Sequence, residues 1–184
     1  MKALLTLFSL LFFAHVSFTQ NKMSDEEIWN ITFSKSFDTI NVDNEIYPYF
    51  EEGDMNGFVI KRDSLNQKPC FIYHFMSHCA PCTFEIPMIN QLYDEFSDKM
   101  DFIAFTPIPK ESLFEIYPES EAYKFPIISV PRSYIKTGFP MAYILKMNNK
   151  IILTRLGGTG PNDFIRTKHY QKLKSWCKKA IADK

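Results

Sequence analysis

Residues 69–106 constrain the fold more than any other part of this 184-residue chain. After Pro69, Cys70-Phe-Ile-Tyr-His-Phe-Met76 is a nearly continuous apolar run, the pattern of a strand buried on both faces. A helix is expected to open near Cys79 to Cys82, because Ile86, Ile89, Leu92, Tyr93 and Phe96 recur at three- and four-residue intervals with polar residues between them. Asp101-Phe-Ile-Ala-Phe-Thr106 reads as a second apolar strand. A strand, a helix of this length and a second strand make a βαβ unit, so the two strands run parallel in one sheet.

The rest of the chain builds around that unit. A proline-rich stretch (Pro107, Pro109, Pro118, Pro126, Pro131) predicts short helix and loop. Met141 to Met147 and Ile151 to Arg155 flank Asn148-Asn-Lys150 and predict an antiparallel hairpin. Gly157, Gly158 and Gly160 break the chain before a closing helix over Asn162 to Ala182, with an apolar stripe at Phe164, Ile165, Leu173, Trp176, Cys177, Ala180 and Ile181. Residues 21–68 are acidic and irregular, with nine carboxylates and one base between Ser24 and Asp54. Ile31 to Phe33 and Phe58 to Ile60 suggest strands or a hairpin there, and Asp54 to Gly57 and Asp63 to Lys68 suggest turns. The expected fold class is α/β, a central mixed β-sheet flanked by helices with an N-terminal strand or hairpin extension. With 18 Phe, 9 Tyr and 2 Trp the chain has the bulk for one sizeable core, and four cysteines are too few for a disulfide-built scaffold.

Two of those cysteines sit where chemistry is favoured. Cys79 and Cys82 fall at the strand-to-helix junction, where free backbone N–H groups and the helix dipole stabilise a thiolate. Pro81 suits the first helical turn, where its missing N–H costs little. Cys79 would attack a partner disulfide, and Cys82, one turn deeper, would resolve the mixed disulfide. A structural zinc site wants four ligands, often as two such pairs, and there is no second C-x-x-C. A structural disulfide or two core cysteines are the competing readings.

Cys79-Ala-Pro-Cys82-Thr-Phe-Glu85-Ile-Pro87 resembles the C-x-x-C-x-x-E-x-P signature of the TlpA/ResA branch of thioredoxin-like proteins, the extracytoplasmic thiol–disulfide oxidoreductases of bacteria. The resemblance runs from about Pro69 to the C-terminus and implies a thioredoxin-like fold. It nominates Glu85, where the family carries a carboxylate near the active cysteines; sharing a helix face with Cys82 at i, i+3, it would accept a proton or modulate the thiol. It also nominates Pro140, preceded by Phe139, where thioredoxin-like proteins place a cis-proline on the surface that meets substrate. The family usually has Trp immediately before the first cysteine, and here that residue is His78, read either as a base or thiolate stabiliser through its imidazole or as a tolerated surface residue. The expected site is therefore Cys79, Cys82 and Glu85 for the chemistry, with Pro140, Phe139 and His78 facing the substrate. No organic cofactor is needed, because the two cysteines carry the electrons.

Residues 1–20 read as a secretory signal: Met1-Lys2 is a basic start, Ala3 to Ala14 an apolar centre and His15 onward a polar exit. The apolar run is shorter than the roughly 20 residues of a spanning helix, so a membrane tether would require the signal to stay uncleaved. The expected divisions are a signal over 1–20, an extension over 21–68 and a thioredoxin-like domain over 69–184, working in the periplasm or otherwise outside the cytoplasm. Expected partners are a client protein with cysteines and an upstream thiol–disulfide donor or acceptor. With 21 Lys+Arg against 21 Asp+Glu, whole-chain charge gives no case for nucleic acid. Cys70 and Cys177 read as small core residues whose pairing is open, and His74 and His169 as packed residues. Two rival functions stay open: a copper carrier using Cys79, Cys82 and His78 or His74 as soft ligands, and a non-catalytic domain with a structural disulfide.

Overall fold

The computed structural model describes residues 23–33, 45–54, 58–65, 67–116, 123–135 and 138–183. The expected signal over 1–20 lies outside the described residues. In chain order the elements are α1 (Asp25–Ile28), β1 (Glu51–Gly53), β2 (Val59–Lys61), β3 (Cys70–His74), α2 (Ala80–Phe96), β4 (Asp101–Thr106), α3 (Lys110–Ile116), β5 (Ile127–Ser129), β6 (Met141–Leu145), β7 (Ile151–Leu156) and α4 (Asp163–Ala182).

Five strands form the central sheet in the order β5-β4-β3-β6-β7. β3, β4 and β5 run parallel, and β6 and β7 antiparallel, which is the mixed sheet expected. All five residues of β3 are buried because it is the middle strand, paired on both sides and covered on both faces. Phe71 and Tyr73 point into the larger core, with Ile89 and Leu92 of α2 and Leu173 and Cys177 of α4. Cys70 and Ile72 point the other way, into a second core with Tyr47, Phe50 and Leu65. Each such side chain, fully withdrawn from water, contributes about 1.5–3 kcal/mol.

The second core is covered by the N-terminal extension. Glu45 and Tyr47 hydrogen-bond beside β7 (Tyr47 N to Asn149 O 3.0 Å, Ile151 N to Glu45 O 2.9 Å), and Asp54 bridges to Ile128 in β5. Residues 45–54 thus cross one face of the sheet and are stitched to strands at both of its edges, which protects edges that would otherwise offer unpaired groups. β1 and β2 form their own antiparallel pair, and Phe58 to Ile60 belongs to it as expected.

Two expectations change, and one left open is decided. Ile31 to Phe33 is not a strand: Ser24 and Glu27 form a capping box that starts α1, and Trp29–Phe33 continues it as a π-helical turn. β5 was not foreseen, because three residues between Pro126 and Pro131 are too short to show a period. Cys70 and Cys177 are free and buried in different cores, on opposite faces of the sheet, so the open pairing between them is not made. Burial pushes the Cys177 thiol up to about 12 and the Cys70 thiol well above its usual value.

Candidate active site

β3 ends at His74, and the chain turns through His78 before α2. His78 takes φ 58°, in the left-handed region, and its side chain is exposed. Cys79 caps the helix: its Sγ accepts the Cys82 amide at 3.3 Å. Pro81 occupies the first turn, and Pro87 lies inside the helix without ending it. Cys79 and Cys82 are joined in a disulfide (S–S 2.02 Å, Cα–Cα 5.2 Å). Cys79 is half-buried, whereas Cys82 is 0% exposed, so an attacking group reaches the first sulfur and not the second.

One turn further along α2, Glu85 is also 0% exposed. Its carboxylate is fully occupied. Oε2 accepts the Tyr73 hydroxyl at 2.8 Å, Oε1 accepts the Thr159 amide at 2.9 Å, and Arg155 of β7 forms an ion pair with Oε1. Arg155 is itself 1% exposed and donates from Nε and Nη2 to the Gly157 carbonyl at 3.1 and 2.6 Å. Burial, and then the Glu85 charge, hold the Tyr73 hydroxyl well above its usual proton affinity, so Tyr73 is a donor to Glu85. A buried ion pair persists only when its remaining donors and acceptors are satisfied, which this carboxylate achieves.

Pro140 reaches the same place from the other side. The Phe139–Pro140 peptide is cis, Pro140 is buried, and its carbonyl accepts the Gly157 amide at 2.9 Å. Gly158 sits between the two halves of the site: a Cβ there would lie 2.6 Å from Pro81 Cβ and 2.8 Å from Pro140 Cγ. No side chain fits, so glycine lets the β7 loop close against both prolines. Phe139 is half-buried beneath the Arg132 guanidinium, 5.0 Å from its ring centroid. In the chain on either side of the dithiol, Met76 and Phe84 leave apolar surface exposed at 37% each.

No protein-family model matches the chain. It is 23% identical over 116 residues to the thiol-disulfide oxidoreductase ResA of Bacillus cereus, covering 60% of this chain and 67% of ResA. Among solved structures it superposes on a protein described as thiol:disulfide interchange protein DsbE from Chlorobium tepidum, at TM-score 0.64 and 17% identity, covering 74% of this chain and 96% of the other. The thioredoxin domain of a thiol-disulfide oxidoreductase from Bacteroides vulgatus gives TM-score 0.60 at 16% identity, with 73% and 97% covered. The fold is thioredoxin-like.

In this thioredoxin-like scaffold Cys79, Cys82, Glu85, Phe139 and Pro140 converge, and His78 flanks them on the surface. His74 does not join them. It points into the second core, where its Nε2 meets the Tyr47 hydroxyl at 2.7 Å, and burial pushes its pKa down to about 3. That removes one of the soft ligands offered to copper, and among the described residues no group of three His, Cys, Asp or Glu is arranged to hold a metal ion. His169 is wholly buried against Trp29, and burial followed by the nearby Arg155 charge lowers it to about 2. Sequence reasoning missed Arg155, Tyr73, Thr159 and Gly158. A signal for Arg155 was present: it shares the inward parity of Leu153, an arginine where an apolar residue belongs.

Proposed function

We propose that this protein is an exported thiol–disulfide oxidoreductase that exchanges its Cys79–Cys82 disulfide with cysteines of a client protein. The observation that carries the reading is the asymmetry of the pair, a half-buried Cys79 at a helix N-terminus bonded to a fully buried Cys82. A client thiolate attacks Cys79 Sγ, a client–Cys79 bond forms, the Cys79–Cys82 bond breaks, and Cys82 leaves as a thiolate that takes a proton. A second client thiolate attacks the client sulfur of the mixed disulfide and releases Cys79. The client has lost two electrons and the protein has gained them. The reverse sequence, begun by the Cys79 thiolate, reduces a client disulfide with the same balance.

Half-buried Phe139 beside the buried Pro140, with the exposed apolar Met76 and Phe84, offers the surface against which an extended client segment lies. His78 flanks the attacked sulfur from the solvent side. An upstream thiol–disulfide partner resets the pair. The basic, apolar and polar succession of residues 1–20 supports export, and among the described residues no helix is long and apolar enough to cross a membrane.

Equilibration with glutathione buffers followed by thiol trapping tests the reading. Reversible two-electron exchange of Cys79/Cys82 at a potential near that of an extracytoplasmic compartment is expected. A pair that stays oxidised under strongly reducing buffer is a structural disulfide and overturns it.

A further inference from the structure

We propose that Arg155 is the positioning residue of this site, a bracket that ties the helix carrying the dithiol to the loop carrying Pro140. The proposal rests on the oxidoreductase reading above. Its basis is a closed circuit of contacts. Arg155 reaches Glu85 on α2 with Nη2, and reaches the Gly157 carbonyl with Nε and Nη2 at 3.1 and 2.6 Å. The Gly157 amide holds the Pro140 carbonyl at 2.9 Å, and Gly158 packs on Pro81 and Pro140 together. The separation of Pro81 from Pro140, the two walls of the site, is therefore set through one guanidinium. Only the planar fork of arginine serves here, because a lysine nitrogen lacks the geometry to hold a carboxylate and a carbonyl on divergent lines.

The bracket also settles the charge of the site. When the disulfide opens, Cys82 leaves as an anion in a position that is 0% exposed, one turn from Glu85. An unbalanced carboxylate would oppose that thiolate. The groups facing Glu85 are Cys82 on its own helix, the neutral Tyr73 of β3, the Thr159 amide and Arg155 of β7, with the neutral His169 of α4 beyond Arg155. One carboxylate and one guanidinium cancel, and the departing thiolate meets no net negative charge. A purely structural ion pair is the competing account. Buried pairs are often replaced by apolar residues without loss of stability, so stability alone does not explain keeping this one.

The test uses the full chain as R155K, R155M and the double variant E85L/R155M, the last chosen because it leaves no unpaired buried charge. Three quantities are read: the glutathione equilibrium, the pH profile of Cys79 alkylation, and KM against kcat for a peptide bearing one disulfide. R155K, which keeps the charge and loses the bracket, is expected to hold the pH profile while KM rises about tenfold, less than the roughly 10²-fold that a misplacement of about 1 Å can cost. R155M adds a shift of the alkylation profile by about one unit or more. E85L/R155M is expected to fold and to show the raised KM. If R155K and E85L/R155M keep the wild-type KM, profile and equilibrium, and differ only in melting temperature, Arg155 is an ordinary structural partner and the proposal falls. Failure of the underlying reading looks different: the wild-type protein itself then exchanges with neither glutathione nor the peptide.

Discussion

Strand β3 buries a hydrogen-bonding side chain on each face, and the two faces handle polarity in opposite ways. On the face toward α2 and α4, Tyr73 meets Glu85 and Arg155, and both charges are kept, each surrounded by donors or acceptors. On the face under the N-terminal extension, His74 meets the Tyr47 hydroxyl among the rings of Phe105 and Tyr143, and burial keeps it neutral. Shedding a charge is the cheaper way to bury a polar group, since desolvation of an ion is costly even when it is paired. The costlier solution lies on the face that carries the dithiol. The retained pair lies one turn from Cys82, whereas the histidine buried on each face, His74 and His169, sheds its charge.

The largest expected effect isolates the dithiol face. Cys79→Ser abolishes exchange with glutathione, and Cys82→Ser accumulates a mixed disulfide on Cys79, detectable as a mass increment by intact-protein mass spectrometry. Exchange surviving in Cys79→Ser would move the nucleophile elsewhere. Next in size is Glu85→Gln. The amide oxygen can keep the Thr159 amide, but the NH2 then faces the Tyr73 hydroxyl, and Arg155 is left as an uncompensated buried cation, so the unfolding free energy falls by about 3–5 kcal/mol. Urea denaturation measures it, and a loss below about 1 kcal/mol would mean that the pair is more open to water than its burial implies. Gly158→Ala comes third. Its new methyl would meet Pro81 and Pro140 at 2.6 and 2.8 Å, and relieving the clash costs about 1–3 kcal/mol while exchange with client peptide slows more than exchange with glutathione.

Much of this arrangement was legible in the chain. The apolar run at Cys70, the three- and four-residue rhythm from Ile86 to Phe96 and the run at Asp101 each depend on local periodicity, and β3, α2 and β4 appear there. Cys79, Cys82 and Glu85 stand within one short motif, so their approach is written in helix geometry. What stayed hidden depends on long-range closure. Arg155 and Glu85 are 70 residues apart, and Thr159 and Glu85 are 74 apart. Gly158 looks like any loop glycine until the fold sets two prolines against it. The path of residues 45–54 across the sheet was unreadable for the same reason, since each end of the segment is held by an edge strand far away in sequence.

The smallest effect, per unit of pH, puts both faces on one scale. His74 and His169 lie on opposite sides of the sheet, and each is neutral in the folded protein, lowered to about 3 and about 2. Unfolding frees each imidazole to bind a proton near its ordinary value of about 6.5. Above that pH neither residue contributes a slope. As pH falls from about 6.5 toward 3, the unfolded chain gains protons that the folded chain refuses, and stability drops by about 1.4 kcal/mol per pH unit for each histidine. His74→Phe should remove one such slope and His169→Phe the other, measured as the difference from wild type in urea unfolding between about pH 6.5 and 4.5, so that the carboxylates common to all three cancel. The causes differ even though the slopes match: burial alone lowers His74, whereas Arg155 adds to burial at His169. In E85L/R155M the His169 slope should therefore fade at a higher pH than in wild type, while the His74 slope is unchanged. An unchanged His169 slope would show that the charged cluster on the dithiol face stops short of α4.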